Sequence, residues 1–159
     1  MHGLRIPIAL LAFLVLCQRA DAQRLVPADP WELIHIARET GEAEVGRDKL
    51  RDPVIRATRD GVAYRIDFYG CRLGRNCDTI LFRARLHTED WEDDHPEIAL
   101  IDDWNASKLF GRAILSDSGA AILEHPVAIG PGLPPDALRA SFKAWLNALD
   151  EFAYHIDFK

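Results

Sequence analysis

Residues 60–87 read DGVAYRIDFYGCRLGRNCDTILFRARLH, and their alternation decides the fold. Val62, Tyr64, Ile66 and Phe68 fall on one side of an extended chain, while Arg65, Asp67 and Tyr69 fall on the other. After a connection bracketed by two cysteines, Ile80, Phe82, Ala84 and Leu86 alternate with Leu81, Arg83, Arg85 and His87. A period of two marks half-buried strands. Asp60-Gly61 separates the first run from residues 54–59, and this pair suits the left-handed backbone of a two-residue hairpin turn. The expectation is a three-stranded antiparallel meander with one apolar and one mixed face.

Helical spacing governs the flanks. Asp29-Pro30 is a start signal, with Asp as N-cap and Pro at a position where its missing N–H costs nothing. Trp31, Ile34 and Ala37 follow at helical intervals, and Gly41 offers a stop. A second helix is expected over about 96–108, with Ile98, Ile101 and Trp104 on its apolar side. Phe110, Arg112 and Ile114 resume strand spacing, and a partner strand follows at 121–128 after Asp117-Ser118-Gly119. The Gly- and Pro-rich stretch 130–135 cannot continue a sheet. Leu138, Phe142, Trp145, Leu149, Phe152 and Ile156 then outline the clearest amphipathic helix, with Lys143, Asn147 and Asp150 on its wet side. The order is α-β-β-β-α-β-β-α, an α+β fold with an antiparallel sheet and helices on its apolar face. Residues 43–48 are a candidate for an additional edge strand.

Composition bounds what such a domain can do. The chain has 159 residues and 48% hydrophobic residues, enough for one domain with a real core. Its formal charge of -6 argues against general nucleic-acid binding, which needs an excess of cations. Residues 1–22 read as a secretory signal peptide. Arg5 is the positive start, an apolar stretch follows, and Ala20-Asp21-Ala22 forms a small-x-small site for cleavage between Ala22 and Gln23. The apolar stretch is too short to span a hydrocarbon core of about 30 Å. Leu16 stands before Cys17, where a lipoprotein signal prefers Gly or Ala. The remainder, 23–159, is then a single domain in the periplasm or outside the cell, with no stable membrane insertion. It retains two cysteines, Cys71 and Cys77. An even count in an oxidising space favours a disulfide. Cys-x5-Cys fits neither the usual redox spacing nor a four-ligand metal site.

These residues together resemble the YbjN family, over roughly 31–152. Asp52-Pro53, Asp60-Gly61 and Phe68-Tyr69-Gly70-Cys71 with Cys77 carry part of the likeness, which is to an exported, disulfide-bearing branch. More specific is Ile101-Asp102-Asp103-Trp104-Asn105 followed by Phe110-Gly111-Arg112-Ala113, similar to the family's I-N-x-W-N … F-x-R-A signature, with Asp102 where Asn is usual. Trp104, Asn105 and Phe110 are the motif residues to locate. The resemblance implies a fold similar to class I type III secretion chaperones and a label as bacterial sensory-transduction regulators. That label names no reaction, ligand or catalytic residue.

Two segments compete for a functional role. The first is 89–97, where Glu89, Asp90, Glu92, Asp93, Asp94 and Glu97 stand beside His87 and His95. Oxygen ligands of this kind hold hard cations, although the spacing matches no calcium loop and lacks its turn glycine. A metal-dependent binder or enzyme centred there is the alternative reading; a solvated acidic loop before a helix N-terminus is the simpler one. The second is the polar sheet face, where Arg65, Arg83 and Arg85 form a candidate interaction surface for an acidic partner. Cross-strand pairing with Asp67 and Glu124 would equally account for them. Ser107, Ser116, Ser118 and Ser141 lie in no nucleophile elbow, and no zinc-protease or phosphate-loop motif occurs. The expected function is a non-catalytic exported module without a cofactor. It would bind another protein, in a chaperone-like or regulatory role, with a homodimer among the allowed assemblies.

Overall fold

The computed structural model describes residues 25–86 and 98–158. Nine elements follow one another: α1 (Pro30–Arg38), β1 (Ala43–Arg47), β2 (Pro53–Arg59), β3 (Val62–Tyr69), β4 (Thr79–Leu86), α2 (Ile98–Ser107), β5 (Arg112–Leu115), β6 (Ala121–Ala128) and α3 (Pro135–His155). The strands form a six-stranded sheet in the order β1-β2-β3-β4-β6-β5, with every neighbouring pair antiparallel. The α+β class and the antiparallel sheet match expectation; the order differs from the eight elements expected by one strand, β1, which forms the edge at the candidate segment 43–48. The signal segment 1–22, its Ala22/Gln23 junction and the acidic segment 89–97 lie outside the described residues.

Alternation places the core. Ile55, Ile66, Phe82 and Leu123 point to one face and are fully buried there, together with Ile80 and Leu86. α3 covers this face with Leu138, Phe142, Trp145, Leu149 and Phe152, the stripe read from the sequence. Phe82 is the centre of the contact: its ring stacks on Trp145 at 5.5 Å and meets the edge of Phe142 at 4.9 Å. α1 packs against β1 and β2, and α2 against β5. Two apolar residues do not go where helical spacing alone sends them. Trp31 is 55% exposed, because Leu33 and Ile36 join Ile34 and Ala37 in facing the sheet. Ile98, at the first described turn of α2, is 60% exposed, while Ile101 and Trp104 are buried.

The turns explain the register. Asp60 and Gly61 both have positive φ (49° and 86°), the backbone of the tight hairpin expected there. Cys71 and Cys77 are joined by a disulfide. Between them Arg72 and Arg75 exchange two backbone hydrogen bonds of 2.8 and 3.1 Å around Leu73-Gly74. The disulfide lies just beyond the Tyr69–Thr79 pair that ends the β3–β4 ladder. The staple also anchors the chain before α1. Cys77 N–H donates to the Ala28 carbonyl at 3.1 Å, and Asp29, the helix N-cap, accepts from Trp31 N–H at 2.8 Å.

Candidate functional site on the open sheet face

The face away from the helices carries a row of charge. Register places Glu44 opposite Arg56, Arg56 opposite Arg65, Arg65 opposite Arg83, and Arg83 opposite Glu124; Glu124 in turn faces Arg112. One cross-strand line thus reads Glu-Arg-Arg-Arg-Glu-Arg over all six strands. Like charges directly opposite destabilise a sheet unless counter-charges intervene, and two carboxylates do so here. Asp67 lies one row away with its side chain 7% exposed. It accepts from Arg65 Nε at 2.9 Å and stands 3.9 Å from Arg83 Nη1. Glu124 Oε1 accepts from Arg83 Nε at 2.7 Å and lies 2.6 Å from its Nη2. The hydrogen bond from Arg65 to Asp67 raises the Arg65 pKa further above its ordinary value, so this group stays a cation.

The arginines differ in how far they are engaged. Arg65 and Arg83 are pinned, yet keep 43% and 34% of their side-chain surface open. Arg56 is 52% open; its Nη1 is 3.9 Å from Glu44, and its Nη2 donates to the Arg47 carbonyl at 3.1 Å. The guanidinium fits there because Gly46 presents no side chain: a Cβ at that position would collide with Arg56 Nη1. Arg85 donates to Ser118 Oγ at 2.6 Å. The row borders a groove of about 800 Å³ whose lining also includes Glu42, Thr58, Ala63, Arg85 and Ile122. The sheet face therefore brings Arg65, Arg83 and Arg85 together, and it also satisfies the cross-strand pairing weighed against a binding role.

Arg56 and Glu44 belong to the same surface, although the sequence reading left them out of it. The signal for Arg56 was present. A two-residue turn at Asp60-Gly61 fixes Arg59 opposite Val62, and counting back sets Arg56 opposite Arg65. Glu44 needed the pairing of β1, a five-residue strand without alternation of burial.

The motif residues have structural work. Trp104 is buried and its Nε1–H donates to the Gly111 carbonyl at 2.8 Å. Asn105 uses both ends of its amide on β5: Nδ2 donates to the Ala113 carbonyl at 3.0 Å, and Oδ1 accepts from Ala113 N–H at 2.8 Å. Its side chain thus takes the place of a neighbouring strand along the sheet edge, where free backbone groups otherwise invite pairing. Gly111 has φ +79°, and a Cβ there would press on Leu123 at 2.9 Å. Phe110 is 46% exposed and packs against the His125 ring at 5.4 Å. The signature ties α2 to β5. Burial lowers the His125 pKa below 6.5.

Among the described residues no three His, Cys, Asp or Glu side chains gather as a cation site, and no helix is long and apolar enough to cross a membrane. The disulfide is compatible with an exported protein. No curated protein and no solved structure matches this chain. A family model does, over residues 33–158: YbjN, described as "Putative bacterial sensory transduction regulator". With most of its length matched, and with the motif that locks α2 to the sheet edge inside that span, the chain belongs to the YbjN family.

Proposed function

We propose that this protein is a non-catalytic, exported binding module that recognises an acidic segment of a protein partner on its open sheet face, in a chaperone-like or regulatory role. The observation that carries the reading is the line Arg56–Arg65–Arg83 bordering the groove, with Arg65 held by Asp67 and Arg83 by Glu124. Pinned forks lose little conformational freedom when a carboxylate arrives. Guanidinium groups stay protonated at neutral pH, so this surface recognises anions without exchanging protons with them. The family's regulatory label fits a part that acts through contact.

Fluorescence anisotropy with a labelled Glu-rich peptide tests the reading, with a Lys-rich peptide of equal length as control. The account expects the acidic peptide alone to bind, more weakly as salt rises, and the R56E/R85E double variant to lose that binding while keeping its fold. Equal binding by wild type and the double variant would overturn it. Export rests on residues 1–22 and on the disulfide; intact-mass measurement of periplasmic material should find a chain starting at Gln23, and a retained leader would refute this.

A further inference from the structure

The groove's direction selects the shape of its occupant. Its residues run from Glu44 on β1, through Arg56, Arg65 and Arg83, to Ile122 on β6, so its long axis crosses the strands. Neighbouring strands are about 4.8 Å apart, and the three arginines stand directly opposite one another. Their attachment points therefore advance by about one strand spacing at each step. An extended peptide laid along this axis repeats a side chain on one face only every 6.8 Å or so, and it falls out of step with the row. A helix presents residues three and four positions apart on one face, with rises of about 4.5 and 6 Å. These bracket the arginine spacing.

The second wall adds a constraint. Thr58 sits opposite Ala63 and Arg85 opposite Ile122 in the row beside the arginines. Glu42 and Arg85 also line the groove, while Thr58 and Ala63 are small and Ile122 is apolar. The three arginines are flanked by the opposite sign, Glu44 on one side and Glu124 on the other.

The geometry points to a partner segment that is an amphipathic α-helix lying across the strands. A carboxylate stripe at i, i+3/i+4 and i+7 faces Arg56, Arg65 and Arg83; an adjoining apolar stripe rests on Ala63 and Ile122; a basic residue beyond the acidic stripe meets Glu44. This rests on the reading of the open face as a binding surface, and refines it.

Two peptides of about 15 residues with the same net charge separate the two claims. Both carry the stripe and a flanking lysine; one is locked as a helix by a side-chain staple, the other carries a central proline that breaks it. Binding is read by anisotropy against the wild-type protein, R56E/R85E and E44K, each checked for fold by circular dichroism. The locked helix should bind about tenfold or more tighter than the broken peptide, an amount well above the scatter of such measurements. R56E/R85E should abolish the binding, and E44K should weaken the lysine-flanked helix while strengthening one whose flank is glutamate. If both peptides bind equally and both depend on Arg56 and Arg85, the helical occupant is refuted and the acidic-segment reading stands. If neither binds and a plain Glu-rich peptide does, the helical occupant is likewise refuted. If no acidic peptide binds the wild-type protein, both fall together.

Discussion

The same strands show two unlike faces. On one, Ile66, Phe82 and Leu123 are sealed under α3; on the other, one residue away along each strand, Arg65, Arg83 and Glu124 stay partly open. Burial of apolar area drives folding, whereas surface ion pairs contribute between nothing and about 1 kcal/mol each. The covered face therefore specifies the fold, and the open face is free to vary its charge without unfolding the domain. Even Asp67, the most buried carboxylate of the open face, serves mainly to hold guanidinium groups in position.

Substitutions in matched places should break that contrast if it is wrong. The largest effect belongs to the covered face: Phe82→Ala removes a ring wedged between Trp145 and Phe142 and should cost about 3–5 kcal/mol by denaturant titration. At the sheet edge, Asn105→Ala leaves the Ala113 N–H and carbonyl without their amide partner. It should cost about 1–3 kcal/mol, and added self-association by light scattering should accompany it. His125 follows in acid. Burial lowers its pKa from 6.5 in the folded state, so folding favours the neutral ring. Its contribution is complete above 6.5 and is lost as pH falls through the lowered folded value. Thermal scans between pH 7.5 and 5 should show a steeper decline for wild type than for His125→Gln. The smallest effect is on the open face: Arg56→Ala and Arg85→Ala should change stability by no more than about 0.5 kcal/mol. A cost as large as that of Phe82→Ala would mean the open face is structural after all.

How much of this was legible in the sequence depends on how locally each feature is set. The β2–β3 hairpin follows from Asp60-Gly61 alone, and the disulfide from the even count of cysteines between β3 and β4. The α3 stripe was plain, because a helix of 21 residues repeats its pattern several times. Trp31 and Ile98 were misplaced since each stands at a helix start, where one turn of periodicity cannot separate two candidate faces. Pairing of the arginines with Asp67 and Glu124 was legible as charge complementarity, but the β4–β6 register that sets Arg83 opposite Glu124 was not. β4 and β6 meet across an excursion through α2 and β5, and nothing short-range fixes which residues face each other. Glu44 was lost for a similar reason, on a strand too short to show its period.

The claim that the open face binds is tested most directly by observing the arginine side chains themselves. In a titration of isotope-labelled protein with the locked acidic helix, the guanidinium Nε–H signals of Arg56, Arg65, Arg83 and Arg85 should shift together and saturate, while Trp104 and Trp145 indole signals under the helices stay still. Shifts confined to the tryptophans, or to arginines outside the sheet face such as Arg139, would contradict it.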